Sequence, residues 1–267
     1  MATGAVHEVA GGVFTLRYEL FDQNIGVVVG DGRVLVIDTR SSHRQARELQ
    51  DDVRRITAHP WVVVNSHHHF DHTFGNAPFM PAEIWGHERC AAAMHEGGER
   101  TKHRIAEEMP ELAAELAEVT ITPPTRTIAD RARIDVGGRV VELRYLGRGH
   151  TDNDLAVLVP DSGVVFGGDL VEQGAPPYFG DSFPLDWPDT DRALLALVTG
   201  PVVPGHGDVV DAPFVEKQMA DLAAAAEAAR TAHAEGRPEK DAIAAIPFPE
   251  PFARDLLRRA YAQLDQG

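Results

Sequence analysis

The stretch VNSHHHFDHTFGN, residues 64–76, places four histidines and an aspartate within thirteen residues. It follows directly on Trp61–Val64, a continuous apolar run that is typical of a strand buried on both faces. Open α/β sheets usually carry their sites at the carboxyl ends of such strands. The chain is therefore expected to fold so that a buried strand delivers this histidine cluster to one edge of a sheet.

The spacing within the cluster favours metal binding. On an extended segment His67 and His69 face the same way, whereas His68 between them points away. Where the chain turns into a helix, Asp71 and His72 project in other directions, so that one short loop can supply two adjacent metal centres. The HxHxDH pattern is specific by itself for a metal site.

Three later turns add one residue each that can bind a metal. His150 follows a predicted strand at Val140–Leu146, Asp169 follows one at Val164–Phe166, and His206 follows Val202-Val203. Each lies beside glycines, which let the backbone approach a ligand closely. We therefore expect these three residues to meet the histidine cluster at one edge of the fold.

The predicted metal ligands are His67, His69, Asp71, His72, His150, Asp169 and His206. Such nitrogen and oxygen donors suit zinc, with iron or manganese as further possibilities. Seven ligands over two ions leave an open position for water, as in catalytic zinc sites. If Asp169 bridges the ions, one centre is His67, His69 and His150, and the other is Asp71, His72 and His206.

The rest of the sequence predicts two β blocks, each followed by helices. Strands at Ile25–Val29 and Arg33–Ile37 flank one hairpin turn, and Leu155–Val159 and Val164–Phe166 flank another. Ser42 and Gln45 have the spacing of a capping box that starts a helix. Helical sequence fills 87–118, with expected breaks at Gly97-Gly98 and Pro110, and another helix is expected from Thr190 to Val198. We expect a single domain over 1–267, with 212–267 as its C-terminal helical extension.

Composition limits the possible partners. The chain has 25 basic and 41 acidic residues and a net charge of −16, which argues against a nucleic-acid partner. No signal peptide and no apolar run long enough to span a membrane are evident. Cys90 is the only cysteine, so no internal disulfide can form, and a reducing cytoplasm is the expected location.

From about Val13 to Asp211 the chain resembles the metallo-β-lactamase superfamily. Five motifs appear in that family's order: Asp38 after a strand, the string from His67 to His72, then His150, Asp169 and His206. The resemblance implies a four-layer αβ/βα sandwich with the metals at one edge between the two sheets. It also implies that the Asp38 carboxylate orients a ligand histidine, although a turn-forming aspartate that ends a strand would fit the same position.

The resemblance implies a zinc-dependent hydrolase of a small ester, thioester, lactone or lactam, with Asp71, His150 and Asp169 as catalytic residues. A hydroxide between the two metal ions would attack the carbonyl carbon. β-Lactamase activity proper is less favoured, because Asp169 stands where true zinc β-lactamases often have cysteine. A persulfide dioxygenase with one iron ion, or a metal-binding protein without catalysis, would also fit the motifs.

The segment from Val171 to Trp187 is rich in Gly and Pro and follows Asp169 closely, so it should form a long loop over the metals. We expect its aromatic residues Tyr178, Phe179 and Trp187 to form one wall of the pocket for a small-molecule substrate. The segment around Phe21–Asn24 is the candidate for the opposing wall.

Overall fold

The computed structural model describes residues 4–266. The strands are β1 (Ala5–Ala10), β2 (Val13–Tyr18), β3 (Gln23–Val29), β4 (Val34–Ile37), β5 (Trp61–Val64), β6 (Ile84–His87), β7 (Arg126–Ile128), β8 (Arg131–Asp135), β9 (Val140–Tyr145), β10 (Leu155–Val159), β11 (Val164–Glu172) and β12 (Val202–His206). The helices are α1 (His43–Ile56), α2 (Phe70–Thr73), α3 (Glu88–Glu108), α4 (Ala113–Ala117), α5 (Trp187–Leu195), α6 (Ala212–Ala234), α7 (Glu239–Ala242) and α8 (Glu250–Gln266).

The strands form two sheets that meet at one bridge. In the first sheet the order is β7-β6-β5-β4-β3, continued by β2 and β1, and strands β4 to β7 are parallel. In the second sheet the order is β12-β11-β10-β9-β8, with β12 parallel to β11 and the other pairs antiparallel. Gln23 of β3 pairs with His206 of β12 and joins the two sheets.

The two sheets pack face to face, and helices cover their outer faces. Between the sheets, Val64 of the first packs in one apolar cluster with Leu143 and Phe166 of the second. Helix α1 covers the outer face of the first sheet through residues such as Leu49. Helices α5, α6 and α8 cover the outer face of the second, where Leu222 is fully buried. The predicted four-layer α/β sandwich with C-terminal helices is confirmed.

Local signals placed several elements correctly. The side chain of Ser42 accepts a hydrogen bond from the Gln45 amide at 3.2 Å and caps the start of α1. Both predicted hairpins form, between β3 and β4 and between β10 and β11. Within residues 4–266, no helix combines the length and the apolar character that crossing a membrane requires.

Three predicted element boundaries were wrong. Helix α3 continues through Gly97-Gly98. Gly98 serves close packing and does not break the helix, since a Cβ there would lie 2.7 Å from the Ile121 side chain. Helix α5 begins at Trp187, with Pro188 in its first turn, where proline is tolerated. Strand β11 runs on to Glu172, so that Asp169 lies within this strand and not after its end.

Candidate metal centre

The predicted ligands come from four places at one edge of the two sheets. His67, His69, Asp71 and His72 lie on the loop after β5 and on the single turn of α2. His150 lies in the loop after β9, and His206 is the last residue of β12. In β11 the pairing with β12 is irregular around Gly168, whose φ is +53°, and such bulges re-aim side chains. The next residue is Asp169.

His67, His69, His150 and Asp169 form one group of donors, in which one atom of each residue lies within 4.8 Å of the others. The Nε2 of His150 lies 2.9 Å from the Nδ1 of His69. The Oδ2 of Asp169 lies 3.4 Å from the Nε2 of His150 and 3.7 Å from that of His67. These four side chains can hold one cation.

Asp71, His72 and His206 form a second group. The Oδ2 of Asp71 lies 3.4 Å from the Nε2 of His72 and 3.5 Å from that of His206. The two imidazoles approach within 3.4 Å through their Nε2 atoms. This group can hold a second cation.

Asp169 lies between the two groups. Besides its contacts with the first group, its Oδ1 lies 3.4 Å from the Nε2 of His72, and its Oδ2 lies 3.3 Å from that of His206. Gly205 makes room for this carboxylate, since a Cβ at that position would overlap Asp169 Oδ1. The structure thus brings together all seven side chains predicted as ligands, in the two predicted sets, with Asp169 facing both.

The donors themselves fit metal ions. His67 Nε2 and Asp169 Oδ1 are buried and have no hydrogen-bond partner among residues 4–266, although buried polar atoms almost always have one. Ring nitrogens that face one another, as those of His69 and His150 do, need a proton or a cation between them. Imidazole and carboxylate donors of this kind suit zinc, iron or manganese.

The outward-facing nitrogen of each candidate ligand histidine also has a polar neighbour. Asp38 Oδ2 lies 2.9 Å from His72 Nδ1, and Asp38 also accepts from the amide and the hydroxyl of Ser66. The Ser66 hydroxyl in turn lies 3.0 Å from His67 Nδ1. The predicted contact between Asp38 and a candidate ligand histidine is therefore present. Asp38 makes it from a backbone φ of +70°, an uncommon conformation for a residue other than glycine.

Two further carboxylates, neither of them predicted from the sequence, contact candidate ligands. Glu172 Oε1 lies 3.3 Å from His150 Nδ1, and the Asp181 oxygens lie 3.0 and 3.1 Å from His69 Nε2. His68 belongs to neither of the two donor groups, but it does not point away from His69 as predicted: the two rings lie 4.8 Å apart and share Asp181, which lies 3.4 Å from His68 Nε2. His68 Nδ1 lies 2.9 Å from Asn153. Single carboxylates in a strand and a loop have no spacing pattern that would have revealed them.

The charges of the site attract cations. Burial opposes a charged His150, but Glu172 and Asp169 raise the pKa of His150 to about 10. Burial likewise opposes a charged His206, whose pKa Asp169 and Asp71 nevertheless raise to about 9. Burial would raise the pKa of Asp71, yet His72 and His206 lower it to about 2. Without a metal, the carboxylates therefore hold protons on neighbouring imidazoles, and metal ions would replace those protons.

A pocket of about 370 Å³ opens onto the donors. His69, Asp71, His150, Asp169 and His206 line it on the side of the candidate metal centre. The apolar lining comes from Phe21, Phe70, Ile105, Ala175 and Tyr178. Arg104 and Glu108 of α3, which form an ion pair at 2.8 Å, complete the lining together with Glu172 and Gln173.

The predicted pocket walls are only partly present. Tyr178 lines the pocket and is half-exposed, and Phe21 lines it from the other side. The prediction was wrong for Phe179 and Trp187, which are buried in the apolar cluster under the C-terminal helices. The Trp187 ring lies behind His150, with 5.7 Å between ring centroids, and its Nε1 donates to the Leu170 carbonyl. These two rings support the site from its buried side.

Comparisons with known proteins agree with this geometry. The family model described as the metallo-beta-lactamase superfamily matches residues 18–206. The alpha subunit of a 2,4-dinitroanisole O-demethylase from Nocardioides sp. (strain JS1661) is 29% identical over 213 residues, which are 76% of this chain and 55% of that protein. A metallo-beta-lactamase type 2 from Bacillus cereus is 31% identical over 106 residues, 38% of this chain and 41% of that protein. The chain thus spans about half the length of these relatives, or less.

Solved structures share the fold at low sequence identity. The structure of TMB-1 has a TM-score of 0.65 at 22% identity, covering 84% of this chain and 98% of its own. A double mutant of the sec-alkyl sulfatase PisA1 has a TM-score of 0.78 at 17% identity, covering 99% of this chain and 50% of its own. Because the family model covers most of the chain, this protein belongs to the metallo-β-lactamase superfamily, whose members are mostly hydrolases.

Proposed function

We propose that the protein is a metal-dependent hydrolase of a small ester, thioester, lactone or lactam, with two zinc ions in the candidate metal centre. The observation that carries this proposal is the position of Asp169, which faces both donor groups at the base of an open pocket. His67, His69 and His150 would hold one ion, and Asp71, His72 and His206 the other. When bound, such ions supply Lewis acidity and activate water at neutral pH.

The protein's own residues would orient the reactants. Asp38 and Asp181 hold the rings of His72 and His69 by their outer nitrogens, and Glu172 lies beside the outer nitrogen of His150, which leaves the other ring nitrogens free to bind a metal. Asp71 lines the pocket, and its carboxylate can guide the proton that leaves the attacking water. The apolar side chains of Phe21, Phe70, Ile105 and Tyr178 would hold the body of the substrate and exclude bulk water from it.

The relatives support two more specific candidates for the substrate. Cleavage of an activated aryl methyl ether is a second candidate, because the O-demethylase subunit matches 76% of this chain. β-Lactam hydrolysis is supported by shorter matches to metallo-β-lactamases. Asp169 in place of cysteine makes the lactam the weaker of the two as a native substrate.

We also propose a small-molecule substrate and a cytoplasmic location, with neither a nucleic acid nor a membrane as partner. The net charge of −16 and the carboxylates of the pocket disfavour polyanions.

Cys90 is buried, and burial raises the pKa of its thiol, so that this thiol is unreactive. Fractionation of the native cells, with detection by antibody, tests the location.

The experiment for the proposed function is metal quantification followed by a hydrolysis screen. Protein purified without oxygen should contain about two zinc ions per chain and should hydrolyse at least one probe among a thioester, a lactone, an aryl ester and a β-lactam. A nitroaryl methyl ether and a phosphoester complete the panel. One iron ion per chain, with oxygen uptake on a persulfide and no hydrolysis, would contradict the proposal and favour the dioxygenase.

A further inference from the structure

The loop formed by residues 173–186, between β11 and α5, links the C-terminal helices to the candidate metal centre. It carries Tyr178, which lines the pocket, and Asp181, whose two oxygens lie 3.0 and 3.1 Å from His69 Nε2. A carboxylate at this distance accepts the proton of Nε2. The neutral ring then has no proton on Nδ1, the nitrogen of His69 that faces His150 and the first donor group.

Helix α8 fastens this loop through Arg259. The Nε of Arg259 donates to the Ser182 carbonyl at 2.8 Å, and its Nη2 donates to the Asp181 carbonyl at 3.0 Å. A planar guanidinium that bonds two successive carbonyls fixes the direction of the backbone between them. The side chain of Asp181 therefore leaves a backbone that Arg259 holds in place.

Other contacts fasten the remainder of the loop to the same helical layer. The side chain of Gln263 accepts from the Leu185 amide at 3.2 Å, and Arg230 of α6 donates to the Leu185 carbonyl at 3.0 Å. The Phe179 ring packs on Phe248, with 5.4 Å between centroids. These helices lie beyond residue 206, where the family match ends.

We propose that Arg259 is a positioning residue for the metal centre, which it controls from the C-terminal helical layer by way of Asp181 and His69. The C-terminal helices are in that case a functional part of the site as well as a cover for the second sheet. This inference rests on the proposed metal centre.

The test is a double-mutant cycle on metal affinity. Zinc affinity is measured for Arg259→Ala, Asp181→Ala and the double variant by competition with a chelating dye. Each single variant should weaken zinc binding about 10- to 100-fold, as the loss of partners of ligand histidines typically does. The double variant should be no weaker than the weaker single variant, because both changes break one chain of contacts.

Controls separate positioning from general damage. Asp181→Asn should recover part of the affinity, because its amide oxygen can still accept from His69 Nε2. Arg254→Ala should bind zinc like the wild type, because Arg254 is on the same helix but pairs with Glu250, away from the loop. The visible spectrum of cobalt-loaded protein should change in Arg259→Ala and Asp181→Ala in the same way, and should not change in Arg254→Ala.

Several outcomes would overturn the inference. Unchanged zinc affinity in folded Arg259→Ala would do so, as would additive losses in the double variant. If Arg259→Ala does not fold, Arg259→Lys takes its place, because one ammonium cannot bond both carbonyls in the same geometry, and the same outcomes apply. A wild-type protein that binds no metal would refute the proposed centre itself, which is a different result from variants that bind as well as wild type.

Discussion

At the scale of single residues, Asp169 has the most consequential position. It is 5% exposed and lies within 3.7 Å of four imidazole nitrogens that belong to both donor groups. Asp169→Ala removes the one side chain that both ions would share. We expect it to lose most of the bound metal and to lower turnover by at least about 100-fold.

Metal content and steady-state kinetics of purified Asp169→Ala check this prediction. The matched control is Asp161→Ala, in the turn before the same strand, where the carboxylate pairs with Arg139 at the surface. Wild-type turnover with full metal content in Asp169→Ala would refute the shared position.

Asp38 lies one step further from the proposed metal ions. Its carboxylate accepts from Ser66 twice and from His72 once, so that a substitution disturbs both donor groups. We expect Asp38→Ala to weaken metal binding about 10- to 100-fold. Asp38→Asn should be intermediate, since its NH₂ must face one of the three donors. Chelator competition measures both, with the exposed Asp31→Ala as control; equal affinity in all three would contradict the prediction.

The histidines also predict how the metal-free protein responds to pH. The pKa of His150 is raised to about 10 and that of His206 to about 9. A raised histidine pKa contributes stability that is complete below the unfolded value, near 6.5, and that is lost as pH rises through the folded value. Metal-free protein should therefore become less stable between about pH 6.5 and pH 10.

Denaturant melts of metal-free protein at several pH values across this range test whether the free energy of unfolding falls as pH rises. Removal of one such histidine, in His206→Gln, should make the decrease shallower. With saturating metal the decrease should disappear, since ions then replace the protons. A metal-free protein that gains stability from pH 7 to pH 9 would contradict the assignment.

At the scale of elements, local patterns predicted whatever depends on neighbours in sequence. Ser42 caps α1, and both hairpins form, because those signals lie within a few residues of the structure that they determine. The direction of the Phe179 ring could not be predicted from neighbouring residues, because the ring packs on Phe248, which lies almost seventy residues later in the chain. Similarly, only the fold shows that Gly98 faces Ile121.

The contact between α5 and α6 contains a buried carboxylate that lies outside the candidate metal centre. Asp191 Oδ2 accepts from Gln218 Nε2 at 3.0 Å, while Oδ1 has no hydrogen-bond partner in the described part of the chain. Burial raises the pKa of Asp191 well above its usual range, despite the bond from Gln218. A raised acid pKa means that stability present at low pH is lost as pH rises above about 4 toward the folded value.

Asp191→Asn should therefore stabilise the protein more at pH 8 than at pH 4.5. Each unit of raised pKa costs about 1.4 kcal/mol at high pH, and about 1 kcal/mol shifts the unfolding temperature by roughly 2–4 °C in a domain of this size. Thermal melts of both variants at the two pH values measure this difference in stabilisation, with the exposed Asp189→Asn as control. The prediction is wrong if Asp191→Asn gains no more at pH 8 than at pH 4.5.

At the scale of the whole molecule, the candidate centre joins the two sheets. His67 to His72 follow β5 of the first sheet, whereas His150, Asp169 and His206 come from the second. The motif spacing predicted these candidate ligands because the ends of buried strands meet at one edge, although Asp169 lies within β11 and not after its end. The contact of Asp181 with His69 and the role proposed for α8 were not predictable, since they depend on a loop whose path is fixed by residues far along the chain.

The most direct test of the central claim is diffraction from crystals of the metal-loaded protein, measured on both sides of the metal absorption edge. We predict two anomalous peaks, one among His67, His69 and His150 and the other among Asp71, His72 and His206, with the Asp169 carboxylate between them. The absence of any peak at these side chains, or a peak only beside His68 and Asp181, would contradict the account.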